Sequence, residues 1–355
     1  MADVDSVNQQ FSRYDQVRKS HTYRLAEDPS DEFDEDYEIA TLDIGQFLNG
    51  DAAERERFAR AFAEALQEIG FAVLTGHGVD SALYDAMHEA ALELMTSTPM
   101  AEKMHFRAQR HGSVNQGYFP IEETSEIHPD LVEGWVFCRR AFDIPQMRDD
   151  ALRAENFWPA AKYEPQFRRL VLAHEQLFKP IAQAMLQGLG CDPQLLDDKL
   201  TETNFGLRLN YYPPMTHEQD RSGAARLLGH EDVDLFTILP ASRTDGLQVW
   251  NHRSGKWVRL NAPPGSIIIN TGDYMQRITN DRLPSTTHRV GKPSDRSHLS
   301  QPRISFPMAV YVWEDELLEV LPGLGEPKYQ PVKAIAFHTR STSKFYGDGY
   351  AVESD

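Results

Sequence analysis

The chain has 355 residues, 41% of them hydrophobic, so it can bury a large core as one big domain or two closely packed ones. Its formal net charge of −18 argues against a nucleic-acid or anionic-membrane partner, because phosphate contacts need clustered lysine and arginine. The two cysteines, Cys138 and Cys191, lack metal-type spacing and exclude a disulfide scaffold. No apolar run approaches the ~20 residues of a membrane span, and residues 1–10 lack the pattern of a secretory signal. We therefore expect a cytoplasmic protein.

The first 37 residues are polar and include an acidic run at 27–36, which indicates a solvated arm or a partly ordered extension. A short strand is expected at residues 38–44. Asp51 then caps a helix whose apolar residues keep helical spacing until Gly70 ends it. Further elements are predicted at residues 71–74 (strand), 82–96 (helix), 112–120 (loop), 133–137 (strand) and 159–189 (helix).

From Asn204 onward the hydrophobic pattern changes to a period of two residues, which is typical of strands with one buried face. The predicted strands are separated by turns rich in Pro, Gly, Asn and Asp. Many short strands at close spacing predict a sandwich or a barrel. They are expected at residues 205–212, 235–239, 247–250, 257–260, 266–270, 286–290 and 304–311.

Three side chains that suit a metal ion lie in this strand-rich part. His230 and Asp232 stand two residues apart, just ahead of an apolar run, and leave the same face if a strand begins at His230. A second histidine, His288, follows on a later strand. Two imidazoles and one carboxylate make a facial triad that leaves metal positions open, which suits non-haem Fe(II) oxygen chemistry. Glu231 and Asp234 are alternative carboxylates, although pleating sends Glu231 to the opposite face.

The order of these residues resembles that in the 2-oxoglutarate/Fe(II)-dependent dioxygenases, in the branch related to isopenicillin N synthase. The resemblance covers roughly residues 38 to 345. It rests on His230-x-Asp232, Gly272-Asp273, His288, Arg303-x-Ser305, the segment Leu207–Pro214, residues 69–79 and the landmark Asn156-Phe157-Trp158-Pro159.

The resemblance implies a mainly β fold with flanking α-helices, built around a double-stranded β-helix (jelly roll) with the metal at its open end. The acidic N-terminal extension, residues 1–37, would precede an N-terminal α/β region at 38–200 that packs on the core. The catalytic core would occupy residues 201–332, and residues 333–355 would form a C-terminal helix or tail near the pocket.

The resemblance also selects Asp232 to complete an iron site with His230 and His288. The cosubstrates would be 2-oxoglutarate and dioxygen. Arg303 and Ser305 would bind the distal carboxylate of 2-oxoglutarate, where the planar bidentate guanidinium explains the choice of arginine over lysine.

Asn210 and Tyr212 match cosubstrate contacts of the family, and strand alternation places Arg208 on their face. We expect Arg208 to be a buried ion-pair partner rather than a third contact. His298, between His288 and Arg303, lies amid Ser, Pro and Gly and is expected to be a loop residue, not the distal ligand.

The implied reaction oxidises a small-molecule metabolite, of the kind found in secondary metabolism, while 2-oxoglutarate becomes succinate and CO2. Hydroxylation is the main expectation, with desaturation or ring formation as other outcomes. One alternative is an oxidase of the same fold that does not use 2-oxoglutarate, in which Arg303 and Ser305 bind the substrate's carboxylate. A second is a metal-free binding protein on a jelly roll. The candidate substrate contacts are Gln116, Tyr118, Phe236 and Phe345.

Overall fold

The computed structural model describes residues 11–19, 27–28, 30–121, 130–139, 157–222 and 226–352, except for the side chains of residues 218, 221 and 222. Asn156, the first residue of one sequence landmark, lies outside these ranges. The N-terminal region contains strands β1 (Thr41–Asp43), β2 (Phe71–Thr75), β3 (Gln109–His111), β4 (Val114–Phe119) and β5 (Glu133–Phe137). Its helices are α1 (Gly45–Asn49), α2 (Ala52–Ile69), α3 (Ser81–Ser97), α4 (Met100–Lys103) and α5 (Tyr163–Gly188).

Strands dominate the rest of the chain. They are β6 (Asn204–Tyr212), β7 (Leu227–His230), β8 (Phe236–Pro240), β9 (Leu247–Asn251), β10 (Lys256–Arg259), β11 (Ile267–Thr271), β12 (His288–Val290), β13 (Arg303–Ser305), β14 (Met308–Tyr311), β15 (Leu317–Leu318) and β16 (Val332–Lys333). The helices are α6 (His217–Ser222), α7 (Asp273–Ile278) and α8 (Ala334–Tyr346). Single 3₁₀ turns occupy Met104–Phe106, Arg296–Ser300 and Asp348–Tyr350.

Helix α2 shows how closely local sequence signals are followed. Asp51 accepts a hydrogen bond from the backbone N–H of Glu54, and the Glu54 carboxylate accepts one from the backbone N–H of Asp51, each at 2.9 Å. This capping box satisfies donors that the first helical turn leaves free. Gly70 ends the helix at φ 73°, in the left-handed region that glycine adopts without steric cost. The predicted helix between these two residues is confirmed.

Two facing sheets form the core, and helices cover the outer face of the larger one. The large sheet has the order β1-β2-β11-β8-β14-β6-β5-β4-β3, with β13 also paired to β6. The small sheet has the order β10-β9-β12-β7. Phe71 and Val73 of the large sheet pack against Val249 and Val258 of the small one. The mainly β fold with flanking helices and a double-stranded β-helix core is confirmed.

Strand β6 separates the helix layer from the space between the sheets. Leu207 and Leu209 join the core cluster that includes helices α2, α3 and α5. Asn210 and Tyr212, on the other face, line a cavity between the two sheets. The predicted alternation along this strand is therefore confirmed, and it directs the polar residues inward. Strand β2 pairs with β11, so the N-terminal region contributes to the same sheet as the core; the division into regions stays a prediction.

The described parts of the N-terminal extension pack on the core, which corrects the expectation of a solvated arm. Val17 is buried in the main core cluster. The backbone carbonyl of Gln16 accepts a hydrogen bond from Arg277 at 2.8 Å, and Asp31 forms an ion pair with the buried Arg289 at 2.7 Å. A buried guanidinium needs such partners, because leaving it unpaired costs several kcal/mol. The polar character of the extension thus reflects polar partners in the core.

Two strand boundaries also differ from the prediction. Strand β7 ends at His230 instead of beginning there, so Asp232 lies in the following loop. The strand expected at 304–311 is divided into β13 and β14 around Pro307. Proline has no N–H to donate to a sheet ladder, which interrupts the pairing. No helix in the part of the chain that the structure describes is long and apolar enough to cross a membrane.

Candidate metal and cosubstrate site

The two histidines face each other across neighbouring strands. His230 ends β7 and stands opposite His288, the first residue of β12, with ring centroids 4.4 Å apart. Nδ1 of His230 lies 2.9 Å from the carbonyl oxygen of Leu228, and Nδ1 of His288 lies 3.1 Å from that of Thr286. Each carbonyl accepts from an Nδ1–H tautomer, which leaves both Nε2 atoms free to bind a metal.

Asp232 supplies the third donor. Its Oδ1 lies 3.7 Å from Nε2 of His230 and 3.9 Å from Nε2 of His288. Its Oδ2 accepts hydrogen bonds from Thr237 (2.7 Å) and Asn270 (2.8 Å). Thr237 and Asn270 are direct partners on β8 and β11, so two neighbouring strands hold this carboxylate from behind. Within the described ranges, these are the three residues whose donor atoms lie close enough together, within 4.8 Å, to hold a metal ion.

The electrostatics of the three groups fit metal binding. Burial, together with the charge of His288, lowers the pKa of His230 to about 4, so this imidazole is neutral at neutral pH. Burial acts to raise the pKa of Asp232, but the two imidazoles and the hydrogen bonds from Asn270 and Thr237 bring it below its ordinary value. The site therefore presents a neutral imidazole and an ionised carboxylate, as coordination requires.

Asp234 has a different role from Asp232. Oγ1 of Thr237 lies 2.7 Å from Oδ2 of both carboxylates, yet a hydroxyl has a single hydrogen to donate. Burial and the charge of Asp232 raise the pKa of Asp234 well above its ordinary value, which favours the protonated form of Asp234. The hydroxyl hydrogen of Thr237 is then available to Asp232. Asp234 is buried behind the site and acts through Thr237.

Glu231 does not join the metal triad and forms a buried ion pair with Lys19 that the sequence did not reveal. Nζ of Lys19 lies 2.9 Å from Glu231 and 2.6 Å from Asp273. Thr287 donates to the same Glu231 carboxylate at 2.8 Å. Although burial acts to lower the pKa of Lys19, the two carboxylates raise it above its ordinary value. No short-range signal links Lys19 to residues more than two hundred positions away, so pairing of this kind escapes sequence patterns.

Arg303, Ser305, Asn210 and Tyr212 come together in the same cavity as the triad, on strands β13 and β6. Strands β13 and β6 are antiparallel neighbours, which places Arg303 opposite Tyr212 and Ser305 opposite Asn210. All four line the cavity. Arg303 is 2% exposed, and its Nε and Nη1 atoms have no hydrogen-bond partner among the described residues. A buried guanidinium with free donors fits a planar carboxylate.

A second arginine, Arg226, strengthens the positive field at this end. It is 1% exposed and donates to the carbonyls of His298 (3.3 Å) and Gln301 (3.2 Å). Burial and the charge of Arg303 lower the pKa of Arg226 to about 10. Two neighbouring arginines favour an anionic ligand at this end. His298 itself lies in a 3₁₀ turn, with Nδ1 3.4 Å from Asp245 and away from the triad, as expected.

Two of the four residues expected to contact substrate, Gln116 and Tyr118, point the wrong way. On β4 the residues that line the cavity are Val114, Asn115 and Phe119. Gln116 accepts a hydrogen bond from the backbone of Cys138 at 3.1 Å, and Tyr118 packs on Trp135 at 5.4 Å. Successive strand residues face opposite sides, so a choice that is one residue out selects the core face. Nothing in the sequence signals that parity.

Of the other two expected substrate contacts, one lines the cavity and one does not. Phe236 is fully buried in the core, 6.4 Å from the ring of Phe178, and does not line the cavity, which corrects that prediction. Phe345, near the end of α8, does line it, together with Tyr346 and His338.

Arg208 also departs from its prediction. It lies on the cavity face of β6, and no ion-pair partner for it exists among the described residues. Its guanidinium carbon instead stacks 4.6 Å from the ring centroid of Phe119, and its Nε has no hydrogen-bond partner in that same set.

Comparisons with known proteins agree with this geometry. Residues 203–310 match the 2OG-Fe(II) oxygenase superfamily, and residues 39–161 match the family described as non-haem dioxygenase in morphine synthesis N-terminal. The 2-oxoglutarate-Fe(II) type oxidoreductase ppzD of Metarhizium rileyi is 27% identical over 328 residues, which is 87% of this chain and 92% of the relative.

Solved structures share the fold. A putative 2OG-Fe(II) oxygenase family protein from Caulobacter crescentus superposes with a TM-score of 0.72 at 28% identity, over 84% of this chain and 96% of its own. A full-length Neurospora crassa protein in complex with alpha-KG superposes with a TM-score of 0.74 at 20% identity, over 91% of this chain and 100% of its own. At that identity the second match supports the fold alone.

Proposed function

The chain belongs to the 2OG-Fe(II) oxygenase superfamily and is a 2-oxoglutarate-dependent Fe(II) oxygenase; from this premise we propose which residues do the work. His230, Asp232 and His288 hold the iron. The observation that carries the proposal is the free Oδ1 of Asp232 between two free Nε2 atoms, with the other carboxylate oxygen already occupied by Thr237 and Asn270.

The cosubstrate site follows from the unpaired donors. Arg303 and Ser305 bind the distal carboxylate of 2-oxoglutarate, and Asn210 and Tyr212 line the same position. The support is a nearly fully buried guanidinium with two free donor atoms, in the same cavity as the triad. Fe(II) and 2-oxoglutarate, when bound, supply an oxidant from dioxygen as the 2-oxo acid becomes succinate and CO2.

The protein's own groups orient and protect that chemistry. Thr237 and Asn270 fix the Asp232 carboxylate, and the carbonyls of Leu228 and Thr286 fix the two imidazole rings. Rigid support of this kind orients ligands and raises their basicity. Apolar walls from Val290 and other cavity residues limit access of bulk water.

We further propose hydroxylation of a small organic molecule in the cytoplasm. The Neurospora crassa protein, which shares the fold, has been crystallised with alpha-KG and thymine. Two free, buried cysteines fit a reducing compartment, and the net charge of −18 disfavours nucleic acid. The oxidase alternative, without 2-oxoglutarate, is not favoured, because the named relatives are 2-oxoglutarate oxidoreductases.

Anaerobic titration of the full chain tests the assignment. Fe(II) followed by 2-oxoglutarate should give a saturable charge-transfer absorption band in the wild type, and aerobic turnover should yield succinate. His288→Ala should lose both the band and the succinate. The matched control is His298→Ala, which removes a histidine ten positions along the chain and should keep both. Retention of the band in His288→Ala, or its loss in His298→Ala, would overturn the assignment.

A further inference from the structure

We propose that Arg208 binds a carboxylate on the primary substrate, so that the substrate is a small organic acid. The inference rests on the proposed function, since it assigns the part of the cavity that iron and 2-oxoglutarate leave free. It concerns a residue that neither the metal triad nor the cosubstrate site uses.

The position of Arg208 is the first argument. It stands two residues before Asn210 on β6, hence on the same face and directed into the same cavity. His230, Asp232 and His288 line this cavity too, so the guanidinium shares it with the proposed iron ligands. Stacking on Phe119 holds the guanidinium plane in one orientation. A group anchored at Arg208 would therefore lie beside the reacting centre.

The charge balance of the cavity is the second argument. The charge of Fe(II) with Asp232 and Arg303 is cancelled by the two carboxylates of 2-oxoglutarate. Arg226 donates to backbone carbonyls near Arg303, and the negative charge of Asp245 stabilises its guanidinium. Glu231 is paired with Lys19.

The outer part of the cavity adds no anion. Burial lowers the pKa of His338 to about 4, which leaves that imidazole neutral. Glu314 accepts hydrogen bonds from the backbone and hydroxyl of Ser113 at 3.2 and 3.4 Å and does not line the cavity. Arg208 is thus the cation on this wall without a counter-charge in the part of the chain that the structure describes. A partly buried guanidinium is stabilised by an anion, and a carboxylate matches its paired donors.

The other residues that line the cavity limit the shape of the proposed carboxylic-acid substrate. Val114, Phe119 and Val136 make one side apolar, and Phe345 contributes from α8. The hydroxyl of Tyr350 donates to Asn115 at 2.9 Å, and both residues line the cavity, so this hydrogen bond ties the C-terminal turn to β4 there. The site therefore suits a compact molecule with an apolar aromatic or aliphatic body and one carboxylate.

Paired probes separate charge from shape. The anaerobic Fe(II)–2-oxoglutarate complex of the full chain is titrated with phenylacetate, 3-phenylpropionate and 4-phenylbutyrate, and with the primary amide of each. Binding next to the iron is read as a saturable change in the charge-transfer band. At least one acid should bind about ten- to a hundred-fold more tightly than its amide, the difference expected for hydrogen bonds to a charged partner.

Substitution of Arg208 then decides the role of the side chain. Arg208→Leu should abolish the preference for acid over amide while the 2-oxoglutarate titration keeps its midpoint, and Arg208→Lys should restore part of the preference. Arg60→Leu removes an exposed arginine of α2 that pairs with Glu56 and should behave as wild type. Circular dichroism melting of each variant identifies any loss of folding.

The possible outcomes distinguish a failure of the Arg208 inference from a failure of the iron and cosubstrate assignment. Acids that bind no better than amides, or that are not bound at all, overturn the inference. So does an acid preference that survives in Arg208→Leu, or a large rise in the 2-oxoglutarate midpoint in that variant, which would make Arg208 a cosubstrate ligand. If the wild type gives no band with Fe(II) and 2-oxoglutarate, the proposed iron and cosubstrate assignment fails instead.

Discussion

The two ends of the cavity are built in different ways. At the inner end, partners stand opposite each other on neighbouring strands: His230 with His288, and Arg303 with Tyr212. At the outer end, β4 and the C-terminal turn meet through side chains, such as Tyr350 with Asn115. Backbone pairing fixes positions over short distances and leaves little freedom. The residues proposed to bind iron and 2-oxoglutarate are therefore positioned by the register of neighbouring strands. The residues at the outer end are positioned by packing between segments that lie far apart in the chain.

Removing an iron ligand should have the largest effect. Asp232→Ala takes away the one carboxylate between the imidazoles and should weaken Fe(II) binding at least about a hundred-fold, measured by anaerobic titration, with turnover lost. Asp234→Asn is the matched control, because the raised pKa of Asp234 favours its protonated form and an amide keeps a donor toward Thr237. Equal iron affinity in Asp232→Ala and wild type would remove Asp232 from the site.

The cosubstrate contact should come next. Arg303→Leu leaves the distal carboxylate of 2-oxoglutarate without its buried partner, which costs roughly 3–5 kcal/mol, or about a hundred-fold or more in Kd. Iron affinity should change far less. Arg303→Lys should recover only part of the loss, because an ammonium cannot offer two parallel N–H donors. An unchanged 2-oxoglutarate Kd, with a raised KM for the primary substrate, would favour the oxidase alternative.

Substitution of Lys19 tests whether the N-terminal extension stabilises the part of the core next to the metal site. Lys19→Met leaves the buried carboxylates of Glu231 and Asp273 without their cation, and should lower the free energy of unfolding by about 3–5 kcal/mol. The measurement is chemical denaturation of the full chain. Arg13→Met breaks an exposed pair with Asp348 and should leave the free energy of unfolding nearly unchanged. Similar losses in the two variants would show that Lys19 has no special role.

Much of the inner end could be predicted from the sequence, because its residues lie at fixed spacings on strands whose alternation is visible. The pleat of β6 placed Asn210 and Tyr212 on one face, as the structure confirms. Thr237 and Asn270 escaped prediction, since their convergence on Asp232 depends on the pairing of β8 with β11. Strand alternation states which residues share a face, and it does not state which strands are neighbours.

The outer end was harder for a related reason. On a strand buried on both faces, as β4 is, both sets of residues look like core, and the pattern cannot say which one faces a cavity. Gln116 and Tyr118 were chosen because the family resemblance places residues 112–120, which were expected to form a loop, near the mouth of the pocket. Residues 114–119 instead form a strand, on which these two side chains serve the core. Arg208 was expected to have an acidic partner, yet it lines the cavity. The sequence around an arginine does not distinguish a ligand-binding role from an ion-pair role.

The smallest effects are expected for substitutions on β4, where Asn115 lines the cavity and its neighbour Gln116 faces the core. Asn115→Ala removes the acceptor for Tyr350 at the mouth and should weaken binding of the best acid probe by about five- to ten-fold, the value of about one hydrogen bond, with little change in melting temperature. Gln116→Ala removes the side-chain acceptor that the backbone N–H of Cys138 has in the core and should cost about 1–3 kcal/mol of stability, while probe affinity stays the same. The two variants differ by one position and delete side chains of similar chemistry, so each is the control for the other. If Gln116→Ala weakened the probe and Asn115→Ala only destabilised the fold, the strand would present its opposite face to the cavity, and the description of the outer end would be wrong.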